Sequence, residues 1–303
     1  MLLTSEYAVL DGALALAIPT RFGQQMVTKQ TRKSDLYWKS YDINGEEWFS
    51  AQISLMDFSP IKTTDEKLAL YIQKLLKGAV RLNSEFLSKW NGFDVKTTLE
   101  FNKDWGLGSS SSLTYLVGQW ADVNPLLLHF KVSDGSGYDV ACAGAELPIS
   151  YRLEDDTINY TEIEFDPAFK DNLYFVYLNQ KQSSKTAVEY YFKKAKQKKT
   201  MVKKLTALTE STISCKGLKE FISIMSEHEA IVAEHLGLEQ VKQKHFSDFQ
   251  GGIKSLGAWG GDFIMVASDQ GEDAVKSYFT NKGFATVIPY SEMIFAEKEA
   301  ELA

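Results

Sequence analysis

The chain has 303 residues, enough for two domains or one large one, and 44% of them are hydrophobic and 24% charged. This composition excludes a disordered, collagenous or membrane-embedded chain. Because 40 acidic residues outnumber 33 basic ones, the net charge of −7 argues against nucleic acid or an anionic membrane as the main partner. Any small anion must therefore be held by local positive groups.

Strands and helices are predicted to alternate in the first half of the chain. The pattern indicates strands over 1–4 and 13–18, short strands within 22–58, a helix within 64–90, a strand over 93–101, and helices over 109–122 and 138–145. Asn44-Gly45 is typical of a hairpin turn. Glycine turns immediately precede the last two of these helices.

The second half has the same mixed character. We expect strands over 149–153, 173–178, 263–267 and 285–288, helices over 186–210, 216–236 and 273–279, and a glycine-rich turn within 251–261. Asp166-Pro167 is the best candidate for a boundary, which predicts an α+β chain with domains at 1–166 and 167–303.

Cysteine usage and the N-terminal segment indicate the compartment. Cys142 and Cys215 lie far apart and outside zinc or thioredoxin spacings, which favours free thiols in a reducing environment. Ser5, Glu6 and Asp11 interrupt the first apolar stretch, and no basic segment precedes it, so neither a secretion signal nor a membrane span fits. We expect a cytoplasmic location.

The segment from Gly106 to Ser112 has the chemistry of a phosphate site. Its glycines allow close approach of a ligand to the backbone, and the helix that follows begins with unpaired N–H groups and a positive dipole end. A serine hydroxyl there could also bind Mg²⁺. The alternative is an ordinary glycine turn followed by a serine that caps the helix.

Two further glycine turns carry acidic residues. Asp139 follows Gly135-Ser136-Gly137 and could accept a proton or orient a nucleophile, or it could merely cap the next helix. The stretch from Lys254 to Asp262 leads into a strand, and by itself it carries little information.

Taken together and in this order, the turns resemble the motifs of the GHMP kinase family over nearly the whole chain, with residues 6–12 similar to the family's first motif. The resemblance implies an N-terminal domain like ribosomal protein S5 domain 2 and a ferredoxin-like C-terminal domain. It implies an ATP site with Mg²⁺ at Ser110, a catalytic role for Asp139 and Ser110, and an acceptor site. The implied ATP-phosphate residues are Gly106, Leu107, Gly108, Ser109, Ser110 and Ser111, and the implied acceptor residues are Glu6, Tyr7, Ser136, Gly137, Gly257, Gly260 and Gly261.

Within the family the chain is most similar to phosphomevalonate and mevalonate kinases, through Tyr7, residues 135–141 and Asp262. The sequence does not decide between phosphomevalonate and mevalonate as the acceptor. A phosphorylated acceptor needs cations, and Lys181 and Lys185 are the candidates, although both could be ordinary exposed lysines.

The resemblance is incomplete at the metal site. Between Ser112 and Asp134 the only acidic residue is Asp122, so the magnesium-binding glutamate of mevalonate-type kinases has no counterpart there. Two alternative functions therefore stay open, a catalytically weak nucleotide- or metabolite-binding protein and a diphosphomevalonate decarboxylase. The oligomeric state is open as well.

Two other patterns are interpreted without a functional role. His228 and His235 lack a metal-binding spacing and are expected at solvated positions of a helix. The lysines between 193 and 204 alternate with apolar residues, as on the wet face of an amphipathic helix.

Overall fold

The computed structural model describes residues 1–303 except 90, 155–156, 181–183, 195–197, 258, 260 and 296–303, with the backbone alone at 184 and 185. Its strands are β1 (Ala15–Ala17), β2 (Gln24–Gln30), β3 (Asp35–Tyr41), β4 (Glu47–Ser54), β5 (Pro60–Thr63), β6 (Phe93–Leu99), β7 (Ile149–Glu154), β8 (Thr157–Glu162), β9 (Leu173–Tyr177), β10 (Gly252–Ser255), β11 (Phe263–Ala267) and β12 (Val287–Pro289).

The α-helices are α1 (Glu66–Leu82), α2 (Ser109–Trp120), α3 (Pro125–Val132), α4 (Tyr138–Ala143), α5 (Ser184–Lys194), α6 (Lys198–Ser214), α7 (Leu218–Leu236), α8 (Val241–His245), α9 (Glu272–Asn281) and α10 (Tyr290–Met293). Short 3-10 helices cover Ala8–Asp11 and Lys170–Asn172. This mixture confirms the predicted α+β class. None of the described helices is both long and apolar enough to cross a membrane.

Several elements differ from the sequence prediction. The helix expected within 64–90 ends at Leu82, where the apolar spacing stops and Asn83 adopts an extended backbone. The helix expected over 186–210 is present as α5 and α6. The sequence analysis predicted neither α3 nor β8.

The described residues form two compact units. The central unit comprises residues 22–103 and 107–144, and the terminal unit comprises residues 1–21, 104–106 and the described part of 145–303. The boundary predicted at Asp166 stays a prediction.

The central unit is a sheet covered by helices. Its strand order is β2-β6-β3-β4-β5, with β3 and β6 parallel and the other pairs antiparallel. Gly45, at φ 80°, turns β3 into β4, which confirms the predicted hairpin. Trp38 and Phe49 of the sheet and Ile72 of α1 belong to one buried core, so burial of the apolar stripe of α1 stabilises this unit.

Helix α3 follows from a capping signal. The side chain of Asn124 accepts hydrogen bonds from Leu126 N at 2.9 Å and Leu127 N at 3.3 Å, and Pro125 occupies the first turn, where its missing N–H has no consequence. This helix supports the loop that leads into α4.

The terminal unit contains the predicted ferredoxin-like arrangement. In chain order it runs β9, helices α5–α8, β10, β11, α9 and β12, and its sheet has the antiparallel order β10-β11-β9-β12. A second antiparallel sheet of this unit has the order β1-β7-β8. The five residues of β11 are all buried, as is typical of a central strand covered on both faces.

Candidate active site

The N-terminus of α2 forms an anion-binding geometry in the central unit. Gly108 precedes the helix at φ 80°, a left-handed conformation that favours glycine. Its carbonyl accepts from Ser111 N and Ser112 N, both at 3.0 Å. The N–H groups of Ser109 and Ser110 belong to the first turn and have no acceptor within the helix, so together with the helix dipole they favour a bound anion.

The serines of this turn have different environments. Ser110 is exposed, whereas Ser111 is buried and its hydroxyl donates to Asp139 Oδ2. Ser112 Oγ donates to Gln24 Oε1 at 2.8 Å, which ties α2 to β2. The hydroxyl predicted to lie nearest Mg²⁺, that of Ser110, therefore faces solvent, and its neighbour Ser111 holds the carboxylate.

Asp139 lies in the first turn of α4 and is half-buried. The residue at the cap position is Gly137, at φ 81°, so the capping alternative for Asp139 does not describe this turn. One carboxylate oxygen accepts from Val140 N at 3.0 Å, and the other accepts from Ser111. The carboxylate is thus fixed beside the first turn of α2.

Helix α3 supports the loop that carries Asp139. His129 Nε2 lies 3.1 Å from Gly135 O, and a Cβ on Gly137 would lie 3.3 Å from Phe130 and 3.4 Å from His129. Ser136 and Gly137 are buried in this contact region. The loop is therefore packed against the helix that the sequence analysis missed.

Tyr71 of α1 fixes the same helix from another side. Its hydroxyl lies 2.7 Å from Thr114 Oγ1 and donates to Ser110 O at 3.3 Å. Burial raises the pKa of Tyr71, so the hydroxyl stays protonated and remains a donor. Sequence reasoning missed this residue, although it lies on the apolar stripe of α1.

In the terminal unit, Gly106 packs against the third glycine turn. Gly106 has φ 66°, and a Cβ at this position would overlap the carboxyl group of Asp262. Asp262 is buried, has a left-handed backbone at φ 52°, and donates its N–H to Gln180 O at 2.6 Å. Only glycine fits at position 106 without displacing that carboxyl group.

Glu6 lies inside a buried polar cluster of the terminal unit. It is 1% exposed, and one of its carboxylate oxygens accepts from the ammonium group of Lys254, which is 2% exposed. His228 Nε2 lies 3.5 Å from the other oxygen and accepts from Ser5 N at 2.7 Å. Glu229 accepts from Ser255 N at 3.0 Å and from Ser255 Oγ at 2.9 Å.

Burial dominates the protonation of this cluster. It raises the pKa of Glu6 to about 7, against the attraction of Lys254, and it raises the pKa of Glu229. Burial and the charge of Lys254 lower the pKa of His228 well below its usual value. Because Nε2 accepts a hydrogen bond, neutral His228 carries its proton on Nδ1.

Tyr7 connects the first motif to the third glycine turn. Its hydroxyl accepts from Trp259 N at 2.9 Å, and burial raises its pKa to about 12. Its ring stacks on Tyr191 at a centroid distance of 5.6 Å. Of the glycines predicted in that turn, Gly257 has φ 63° and faces open space, and Gly261 is buried.

Three predicted acceptor residues are not fully described. Lys181 and Gly260 lie outside the described residues, as does the side chain of Lys185, whose backbone belongs to α5. Among the described residues, no group of three or more His, Cys, Asp and Glu side chains could hold a metal ion.

The prediction that His228 and His235 are solvated is wrong, because they are 1% and 7% exposed. They lie on the buried face of α7.

Comparisons with known proteins give the fold. No protein-family model and no curated protein matches the sequence. Among solved structures, the Methanococcus jannaschii mevalonate kinase has 14% identity and a TM-score of 0.69, with 95% of this chain and 94% of that chain covered. The Streptococcus pneumoniae phosphomevalonate kinase has 18% identity and a TM-score of 0.64, with 94% of each chain covered. The Lactococcus lactis galactokinase has 13% identity and a TM-score of 0.66, with 93% and 86% covered. The topology and these likenesses together establish that this chain has the GHMP kinase fold.

Proposed function

We propose that this chain is an ATP-dependent small-molecule kinase whose triphosphate binds at the N-terminus of α2. The observation that supports this most directly is the hydrogen bond between Ser111 and Asp139, which fixes a half-buried carboxylate beside the turn that attracts phosphate. A kinase must bring the nucleotide phosphate together with its acceptor, and a carboxylate beside that phosphate can take the proton of an acceptor hydroxyl.

In the proposed reaction an acceptor oxygen attacks the γ-phosphorus of ATP, the bond from that phosphorus to the bridging oxygen breaks, and ADP leaves. If the acceptor is a hydroxyl, Asp139 takes its proton. If the acceptor is a phosphate, whose second pKa is about 6, its oxygen is already largely ionised and neutralisation of charge matters more than a base. Ser111 holds Asp139 in place in either case.

Mg²⁺ fits the groups at the front of α2. They are oxygen donors, and the Asp139 carboxylate and the exposed Ser110 hydroxyl would hold the ion together with phosphate oxygens and water. Bound there with ATP, it would neutralise negative charge on the phosphates. The remaining loop residues, Gly106 to Ser109, would contribute backbone N–H groups.

The proposed acceptor is phosphomevalonate or mevalonate. The sequence resemblance supports this choice through Tyr7, residues 135–141 and Asp262. A mevalonate kinase and a phosphomevalonate kinase are among the proteins with this fold. The residues that the resemblance proposes for acceptor contact are Ser136 and Gly137 in the central unit and, in the terminal unit, the third glycine turn, with Lys181 and Lys185 for a second phosphate. A cytoplasmic location is part of the same proposal.

The test is ADP release, measured with mevalonate, phosphomevalonate and galactose as acceptors. We expect turnover with one of the first two. Where the acceptor is the hydroxyl of mevalonate, Asp139→Asn should lose about 10²- to 10⁴-fold in kcat, more than it loses in ATP affinity. Asp134→Asn is the matched control, because Asp134 is an exposed carboxylate of the same loop. Equal activity of the two variants would contradict the role of Asp139.

Two outcomes separate the alternative functions. ATP binding without ADP release for every acceptor would identify a nucleotide-binding protein with no kinase activity. Carbon dioxide released from diphosphomevalonate together with ADP would identify a decarboxylase.

A further inference from the structure

Two adjacent residues of α7 hold two separate motifs of the terminal unit. His228 accepts from the N–H of Ser5, the residue directly before the first motif, at 2.7 Å. Glu229 accepts from Ser255 N, at the end of β10, at 3.0 Å. Each residue of this pair is 1% exposed. A hydrogen bond to a buried polar group is costly to lose, so both attachments are firm.

The first motif needs such attachment because its backbone is strained. Ser5 and Tyr7 both have φ 63°, a left-handed conformation that is unfavourable for a residue other than glycine. Glu6 lies between them. Strain of this kind persists only where the surroundings enforce it, and it concentrates at functional positions.

Lys254 is the group that joins the two motifs. Its ammonium donates to Glu6, between the two strained residues, and to Ser255 O at 2.9 Å. On the far side of the turn, Trp259 N donates to the Tyr7 hydroxyl at 2.9 Å. Lys254 and Trp259 thus connect the third glycine turn, within residues 254–262, to the first motif at two points.

We propose that Lys254 is a positioning residue, which through its buried bond to Glu6 holds Tyr7 and the turn after β10 in the conformation that acceptor binding requires. The link to acceptor binding rests on the proposed function. Lys254 is the first residue of the stretch 254–262 that contains the third glycine turn, but its 2% exposure separates it from any bound acceptor. It acts through Glu6.

Three variants test this role. Lys254→Met removes the ammonium and leaves the buried Glu6 carboxylate without its partner. If this variant does not fold, the double variant Glu6→Gln/Lys254→Met replaces it, because it removes both charges and leaves no carboxylate unpaired. Glu6→Gln alone keeps an oxygen that can accept from Lys254. The matched control is Lys242→Met, because Lys242 Nζ donates to Gly251 O at 2.6 Å, beside the start of the same strand and away from the first motif.

The kinetic readout separates positioning from a general loss of structure. For Lys254→Met or the double variant we expect the KM of the acceptor to rise about tenfold or more, with the KM of ATP within about twofold of wild type. Glu6→Gln alone, which keeps Lys254, should retain most of the acceptor affinity of wild type. Equal KM values in Lys254→Met and Lys242→Met would overturn the proposal, and so would a fall in kcat alone.

Amide hydrogen exchange decides the positioning even if no acceptor is turned over. Loss of the Lys254 ammonium should speed exchange in residues 3–12 and 255–262 by about tenfold or more, and leave residues 109–120 unchanged. Unchanged exchange in both segments would refute the positioning role. Absence of turnover in wild type would refute only the proposed function.

Discussion

The two units hold two buried or half-buried carboxylates, Glu6 and Asp139, in opposite environments. Asp139, in the central unit, is half-buried and bonded to a neutral hydroxyl, whereas Glu6, in the terminal unit, is 1% exposed and bonded to an ammonium. A carboxylate that exchanges protons with a ligand needs access, and a carboxylate that fixes a backbone needs firm partners. Burial therefore separates the proposed chemistry of Asp139 from the proposed scaffold role of Glu6.

Two glycines of the segment 106–112 extend this comparison, since Gly106 belongs to the terminal unit and Gly108 to the central unit. Both have positive φ, at 66° and 80°. A Cβ at Gly106 would overlap Asp262, whereas a Cβ at Gly108 would face open space. Gly106→Ala should therefore reduce the free energy of unfolding by about 2–4 kcal/mol, through strain and overlap together.

Gly108→Ala is the control, with an expected loss of about 1 kcal/mol from backbone strain alone. Urea denaturation of both variants measures the two values. Equal losses of unfolding free energy in the two variants would mean that the close packing of Gly106 against Asp262 does not contribute to stability.

Local elements of this fold could be predicted from the sequence. β11 begins at Phe263 and ends at Ala267 as expected, and α2 begins at Ser109, because apolar runs and glycine turns are local signals. The apolar stripe of α7 also contained a signal that sequence analysis did not use. Its members are Phe221, Ile224, Met225, His228, Ile231, Val232 and His235, all on one buried face.

The buried cluster could not be predicted in the same way. Glu6 and Lys254 are 248 positions apart, and no periodicity connects them. Their pairing depends on the packing of the first motif, β10 and α7. A lysine within an apolar strand segment indicates only that a partner is needed, not which residue supplies it.

The pH dependence of stability distinguishes the two carboxylates further. Burial raises the pKa of Glu6 to about 7 from 4.5, so between these values the folded protein keeps a proton that the unfolded chain has lost. Ionisation of Glu6 therefore lowers the free energy of unfolding as pH rises through this window. His228, with its lowered pKa, has the opposite sign, because the unfolded chain binds its proton first.

The variant Glu6→Gln isolates the first of these two contributions. Relative to this variant, the free energy of unfolding of wild type should fall by about 1–3 kcal/mol between pH 5 and pH 8, as measured by urea denaturation at each pH. His228, Glu229 and Lys254 are present in both proteins, so their own titrations largely cancel. A difference that is constant with pH would show that Glu6 is ionised throughout.

The smallest expected effect is on the central unit. Ser111→Ala removes the hydroxyl that holds Asp139 Oδ2, and the half-buried carboxylate can take water in its place, so stability should fall by only about 1 kcal/mol. Activity should fall more than stability suggests, by about three- to tenfold in kcat, because the carboxylate loses its fixed orientation. ATP affinity should not change, since the N–H groups of Ser109 and Ser110 remain.

Ser112→Ala is the control for this variant, because it removes a hydroxyl one position along the same helix, the one that donates to Gln24 Oε1 at 2.8 Å. Both variants raise helix propensity equally, so the difference between them reports the partner alone. If kcat falls in Ser111→Ala and not in Ser112→Ala, the serine–aspartate bond serves the reaction. If both kcat values equal that of wild type, the reaction does not require the bond between Ser111 and Asp139. Asp139 and Glu6 would then differ not only in burial but also in whether their roles need a fixed partner.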